Sequence, residues 1–238
     1  MTAQQLLSYL SQAIYLALFV VAAVRLFRRP SLAAFDTFLF FSVIAVLLLA
    51  SDAARIFGFQ DNPALAILTW VGVSALPLIL LRLADDFRPQ PSLVMIGASL
   101  AFVLVAALGV LAPQPWQPPV QLVPVGWVVV LGVYASWAFV RESRITTGLT
   151  RRRVQAVAAG SFLLALVLLI AGVNVLVPAV REPLGIVSQA VGLALVSAYF
   201  VGFAPPALLQ RAWQEPVLRR FLAETPELVQ LTSVDDIV

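Results

Sequence analysis

Apolar residues run through this chain in long, closely spaced stretches that polar residues interrupt at only a few points. Seven of these stretches approach the roughly 20 residues that a helix needs to cross the apolar core of a membrane. The strands of an outer-membrane barrel would alternate apolar and polar residues, and these stretches do not alternate. The predicted spans are residues 6–27, 35–57, 64–83, 93–112, 120–140, 154–177 and 183–204. We therefore predict an all-α membrane protein, a bundle of seven transmembrane helices.

The residues between the spans refine this picture. No basic segment precedes the first span and no small-residue cleavage site follows it, which favours a retained helix over a signal peptide. The third span contains Pro77, where we expect a kink because proline removes a backbone donor. Residues 141–153 are predicted to form the longest and most basic loop.

The arginines predict the orientation of the bundle. Cytoplasmic loops carry an excess of basic residues. If the amino terminus lies outside, only Arg55 and Arg181 face the outside, and the other thirteen arginines face the cytoplasm. Those thirteen are Arg25, Arg28, Arg29, Arg82, Arg88, Arg141, Arg144, Arg151, Arg152, Arg153, Arg211, Arg219 and Arg220. We predict an external amino terminus and a cytoplasmic carboxyl terminus.

Composition removes several classes of function. Only 11% of the residues are charged, against about 25% in soluble domains. Cysteine, histidine and lysine do not occur, which excludes the usual zinc and haem ligands, Cys, His or Lys nucleophiles and a retinal Schiff base. We predict no metal, no cofactor and no catalytic residue in this chain. The net charge of +3 follows from membrane topology and requires no nucleic-acid partner.

Few ionisable residues fall within the spans, and each is a candidate because charge is costly in a membrane. Asp36 is expected at the cytoplasmic end of the second span, paired with Arg25, Arg28 or Arg29. Asp52 lies three residues before Arg55 and therefore on the same helix face.

Asp52 and Arg55 have two interpretations. They can pair with each other at the membrane interface, or they can line an outward-facing pocket for an unknown small molecule. Polar and aromatic residues at similar depth on other spans favour the pocket, although interfacial belts and helix-packing contacts are the more common explanation for such residues. These residues are Gln12, Tyr15, Thr69, Trp70, Trp127, Asn174, Ser188 and Gln189. The candidate pocket residues are Asp52, Arg55, Trp70, Asn174 and Gln189.

The segment that leaves the last span is the predicted output. Pro205 and Pro206 end the span, and residues 205–226 are predicted to form an amphipathic juxtamembrane helix. Residues 227–238 are then predicted to begin a cytoplasmic domain that continues beyond the chain. We predict that Pro77, Gly202, Pro205 and Pro206 relay movement of residues 1–204, the membrane domain, to this exit.

The sequence of the segment that leaves the last span resembles a known family. Residues 203–206 read FAPP, 211–213 read RAW, 218–222 read LRRFL and 231–237 read LTSVDDI. This resembles the amino-terminal seven-helix regions of bacterial sensor histidine kinases and their relatives with GAF domains. The resemblance implies a receptor in the bacterial inner membrane, in contact with membrane lipids and dimeric in the full-length protein. It also implies a cytoplasmic signalling module downstream, so that this chain alone is not an enzyme.

Two other functions remain open. A small permease or carrier fits the seven spans, although no internal repeat supports it. A membrane-embedded lipid enzyme is disfavoured by the missing catalytic groups.

Overall fold

The computed structural model describes residues 3–112, 118–177, 179 and 181–204, which form seven long helices and no strand. The helices are α1 (Ala3–Arg28), α2 (Leu32–Phe57), α3 (Pro63–Phe87), α4 (Ser92–Leu111), α5 (Pro118–Ser143), α6 (Gly148–Leu176) and α7 (Arg181–Phe203). All seven are long and apolar enough to cross a membrane. The predicted helical class and the seven spans are confirmed one for one. Pro205, Pro206, the juxtamembrane helix and residues 227–238 lie outside the described residues.

Local capping residues set several helix ends. The hydroxyl of Ser31 accepts a hydrogen bond from the backbone three residues later and so starts α2. Gly58 ends α2 with a φ of 75°, a conformation that glycine adopts without steric cost. The side chain of Asn62 caps α3, and Pro63 is the first residue of this helix. The first N–H group of a helix has no intrahelical acceptor, so proline loses no hydrogen bond at this position.

The predicted basic loop at residues 141–153 is wrong. α5 continues to Ser143 and α6 starts at Gly148, so only residues 144–147 connect them. Arg151, Arg152 and Arg153 therefore lie in the first turns of α6. A long arginine side chain can pack its stem along apolar surface while its charge reaches water, so a helix end tolerates three of them. The length of the apolar run predicts that these residues lie outside the helix, because it does not detect the polar turns at the start of α6.

Six of the helices form a closed ring in the order α1, α2, α3, α5, α6, α7 and back to α1. The remaining helix, α4, packs outside the ring, mainly on α3. Large side chains fill the interior of the ring, and the fully buried ones include Leu18, Phe40, Leu80, Phe139 and Tyr199. The described part of the bundle is therefore a packed core.

The two ends of the bundle differ in charge. One end, the basic end, carries every described arginine except Arg55 and Arg181, which belong to the opposite end. The described arginines thus divide as the predicted topology requires.

The contact between α4 and the ring depends on Trp70. Its indole Nε1 donates a hydrogen bond of 2.7 Å to the carbonyl oxygen of Val105 on α4. The ring lies flat against Gly109, where an added Cβ would overlap it. Glycine therefore permits the close approach that positions the indole on α4.

Gly109→Ala is expected to lower the free energy of unfolding by about 1–3 kcal/mol, because the new methyl group must displace the indole of Trp70. Thermal unfolding followed by circular dichroism in an uncharged detergent measures the change. Gly97→Ala is the matched control on the same helix, because an added Cβ there meets nothing within 4 Å. Equal unfolding temperatures for the two variants would contradict this assignment.

Candidate functional site

A cavity of about 270 Å³ opens between α1, α2, α6 and α7 in the half of the bundle opposite the basic end. We call it the polar cavity, because Ser11, Gln12, Tyr15 and Gln189 line it. The three α1 residues share one side of the helix, since positions 11, 12 and 15 lie within about 100° of one another around its axis. Its apolar walls and floor come from Leu48, Val167, Gly192 and Leu195.

Asp52 is connected to the polar cavity by a hydrogen bond from Gln12, one of its lining residues. The Gln12 amide Nε2 donates to Asp52 Oδ1 at 3.4 Å, which links α1 to α2. The same carboxylate oxygen lies 3.8 Å from Arg55 Nη1, and the Arg55 side chain is 66% exposed. An exposed ion pair of this kind contributes little to stability. Asp52 therefore orients Gln12 without lining the cavity itself, and Arg55 is an exposed partner of Asp52.

Two of the predicted pocket residues lie elsewhere. Trp70 does not line the polar cavity, because its ring is buried between α3 and α4. Asn174 lies half-buried near the end of α6 and is not among the lining residues. Of the five candidates, Gln189 alone lines the polar cavity. Asp52 is connected to it by the hydrogen bond from Gln12, and Arg55 is the ion-pair partner of Asp52.

The structure also shows which lining residues the sequence did not single out. Ser11 was not proposed, and Gln12 and Tyr15 were named only as polar residues at a similar depth. Depth follows from position along a span, but the direction of a side chain depends on how the helix is rotated. These helices are apolar on most faces, so no polar stripe reports their rotation.

Helix α7 connects the polar cavity to the basic end. Gln189, Gly192 and Leu195 face the cavity, and Tyr199 is buried in the core about one turn after Leu195. Its ring packs edge-on against Phe40 of α2, with ring centres 5.3 Å apart.

Gly202 fixes the last turn of α7 against α6. An added Cβ there would lie 2.7 Å from Val157 Cγ2, so the close approach of the two helices requires glycine. The carbonyl oxygen of Gly202 accepts a 3.0 Å hydrogen bond from Arg153 Nε. This bond satisfies one of the carbonyl groups that a helix end leaves without a partner. Gly202, which was predicted as a relay residue, thus forms a close contact between α6 and α7 in this structure.

Pro77 lies buried inside α3, where it cannot donate a backbone hydrogen bond. One turn earlier, the carbonyl oxygen of Ser74 accepts a 2.9 Å hydrogen bond from Trp127 Nε1 on α5. A neighbouring helix thus supplies a donor in the turn that the proline disturbs, as membrane helices commonly allow. The relay roles of Pro77 and Gly202 remain predictions.

The chemistry available in the polar cavity is hydrogen bonding. Two amides, an aliphatic hydroxyl and a phenol line it, and none of the lining residues carries a charge. Elsewhere, no three His, Cys, Asp or Glu side chains of the described residues come together as a metal site. The cavity can therefore bind a molecule with neutral polar groups and an apolar body.

A second cavity, of about 110 Å³, lies at the basic end beside Gly202. Arg25 and Arg153 line it together with apolar side chains. We call it the basic cavity. Sequence reasoning did not find it, because its walls come from helices that are far apart in the chain.

Comparison with known proteins does not assign the chain to a family. No protein-family model matches it, and no curated protein or solved structure matches it either.

Proposed function

We propose that this chain is the signal-sensing membrane domain of a receptor. A small molecule or lipid with neutral polar groups binds in the polar cavity and shifts α7 relative to α6. One observation carries the proposal. α7 lines the polar cavity with Gln189, Gly192 and Leu195, and it lines the basic cavity with Gly202 and Phe203. A single helix thus reaches from a binding-sized cavity to the segment that leaves the membrane.

The packing of α7 suits a relay. It buries a smaller share of its span than α2, α3, α5 and α6 do, so less of its surface is fixed by the core. Its contact with α6 is close at Gly160, which packs against the ring of Tyr199, and at Gly202, which packs against the side chain of Val157. Interfaces packed in this way tend to exchange between discrete arrangements instead of deforming continuously. A ligand that prefers one arrangement would shift the population toward it.

The proposed output follows from the resemblance of residues 203–237 to bacterial sensor histidine kinases. Movement of α7 would pass through Pro205 and Pro206 into the predicted juxtamembrane helix and from there to a kinase or related module, in a homodimer. The division of the arginines supports an external amino terminus and a cytoplasmic exit in a bacterial inner membrane.

The carrier alternative is less well supported. A carrier needs a path between its two sides, and aromatic and aliphatic side chains fill the ring between the polar and the basic cavities. Phe40, Phe41 and Tyr199 pack edge to face there, with ring centres 5.2–6.2 Å apart.

A cavity-filling substitution tests the relay without knowledge of the stimulus. Gly192→Leu places a side chain into the polar cavity from α7, because an added Cβ there meets nothing within 4 Å. The chain has no cysteine, so one cysteine can be introduced at each of the exposed positions Ser197 and Ile145 and labelled with a nitroxide spin label. We expect the distance between the two spin labels to change by about 1–2 Å, the size of a typical helix shift.

Gly97→Leu is the matched control, because Gly97 lies exposed on the peripheral helix α4, with nothing within 4 Å of an added Cβ. The same spin-label distance should not change in this variant. If Gly192→Leu leaves the distance distribution as it is in the parent, or if Gly97→Leu shifts it equally, α7 does not relay occupancy of the polar cavity.

A further inference from the structure

The basic cavity lies where the ends of six helices meet. Its lining includes Arg25 of α1, Thr37 of α2, Phe87 of α3, Phe139 of α5, Arg153 of α6 and Phe203 of α7. Two positive charges therefore face a space enclosed mainly by apolar side chains. Like charges brought together in such a space repel each other unless an anion compensates them.

No carboxylate among the described residues supplies that compensation. No acidic side chain lines the basic cavity. Asp36, the neighbour of Thr37 in the chain, forms its ion pair with Arg82 at 3.2 Å. Within the described part of the chain, no ion pair joins Arg25 or Arg153 to an acid.

The donors needed for an anion are in place. Arg153 uses Nε for the carbonyl of Gly202, which holds the guanidinium group at the cavity and leaves its two terminal nitrogens as donors. The guanidinium group of Arg25 on α1 offers a second planar set of donors at the same cavity. Arginine groups of this kind suit phosphate oxygens, which accept paired N–H groups.

We propose that the basic cavity binds a phosphate group between Arg25 and Arg153. The phosphate belongs either to the headgroup of an anionic lipid or to a soluble phosphate. Basic pockets between transmembrane helices on the cytoplasmic side are a known site for acidic headgroups, and the apolar wall formed by Phe87, Phe139 and Phe203 suits the glycerol end of a lipid.

A bound phosphate also acts on the end of α7. It holds Arg153 in the conformation that donates to Gly202, and so it stabilises the contact between α6 and α7 at the exit. This regulatory consequence rests on the proposed relay through α7, whereas phosphate binding itself does not depend on it.

Binding is tested with the purified chain in an uncharged detergent. Unfolding temperature is measured while phosphatidylglycerol, a diacylglycerol with the same acyl chains, or inorganic phosphate is titrated, because a ligand that binds the folded state raises that temperature. We expect saturable stabilisation by phosphatidylglycerol and none by diacylglycerol, which lacks the phosphate. Saturable stabilisation by inorganic phosphate as well would show that the soluble ion is sufficient.

Two variants and a control assign the site. Arg25→Gln and Arg153→Gln should each weaken binding about tenfold or more, the usual effect of losing a hydrogen bond to a charged group. Arg25→Gln is the decisive variant, since Arg25 is exposed and no described ion pair or hydrogen bond depends on it. Arg29→Gln removes the same charge from the same end of the bundle but outside the basic cavity, and it should change the dissociation constant by less than about threefold.

Two results would overturn the proposal. One is the absence of saturable stabilisation by either phosphate source. The other is an equal loss of binding in Arg25→Gln and Arg29→Gln, which would show a general attraction to surface charge. Both results concern binding alone and leave the spin-label test of the relay unaffected.

Discussion

Gly160→Ala is expected to destabilise the bundle by about 2–3 kcal/mol, at the upper end of the range for an overpacked core. An added Cβ at Gly160 would lie 2.6 Å from both Cδ1 and Cε1 of Tyr199. That distance is far inside van der Waals contact, so the ring or the helix must move. Alanine is otherwise the better helix former, and a loss of stability therefore reports the clash alone.

The ring of Tyr199 cannot move cheaply. It is fully buried, with ring centres 5.3 Å from Phe40, 6.2 Å from Phe41 and 5.8 Å from Phe203. The contacts with Phe40 and Phe41 are edge-on and the contact with Phe203 is tilted. Aromatic pairs of this kind each add about 0.5–1.5 kcal/mol beyond burial. Displacing Tyr199 would weaken several of them together, because all four rings belong to one cluster between α2 and α7.

Thermal unfolding in detergent measures this effect, and Gly126→Ala is the matched control because an added Cβ on that α5 position meets nothing within 4 Å. A second variant separates the clash from a general defect of folding. Tyr199→Leu removes the ring that the methyl group would strike, so Gly160→Ala should cost less in that background than in the parent, a non-additive result. An unfolding temperature for Gly160→Ala equal to that of the control would refute the proposed contact.

The sequence predicted the elements of this fold well, because the length of an apolar run and the residues that end it are local properties. Turn and cap residues such as Ser31, Gly58 and Asn62 act on their own segments, and the seven helices lie where the apolar stretches do. Errors arose where charge and helix overlap. Arg151, Arg152 and Arg153 were placed in a loop although they lie in α6.

The arrangement of the helices could not be predicted in the same way. Nothing local to α4 shows that it lies outside the ring, because a helix that is apolar on all faces can pack against lipid or against other helices. The same limit applies to the candidate site. Trp70 has the depth of a pocket residue, but the rotation of α3 turns it toward Val105 and Gly109.

Ion pairs between helices show this limit most clearly. Asp36 was expected to pair with Arg25, Arg28 or Arg29, the basic residues nearest to it in the sequence. In the structure its partner is Arg82 of α3, at 3.2 Å. The prediction was wrong because α2 turns Asp36 toward α3 and away from the end of α1, and sequence proximity does not report that rotation.

The second large effect on stability is expected when one partner of the Asp36–Arg82 ion pair is replaced. The side chain of Asp36 is only 4% exposed, whereas that of Arg82 is 47% exposed. Loss of the arginine leaves a buried carboxylate without its counter-charge, which is strongly unfavourable. Loss of the carboxylate leaves a half-exposed guanidinium group that water can solvate. We therefore expect Arg82→Gln to lower the free energy of unfolding by about 2–3 kcal/mol and Asp36→Asn by about 1 kcal/mol.

The order of the two effects is the decisive quantity, and a double-mutant cycle measures it. Asp36→Asn combined with Arg82→Gln removes the buried charge together with its partner, so the double variant should be more stable than Arg82→Gln alone. Arg88→Gln controls for the loss of a positive charge at the same end of α3, since no ion pair of Arg88 occurs among the described residues. A larger loss of stability in Asp36→Asn than in Arg82→Gln would contradict this prediction. It would show that the guanidinium group, and not the buried carboxylate, depends on its partner. The difference in burial between the two groups would then not determine the stability of this end of the bundle.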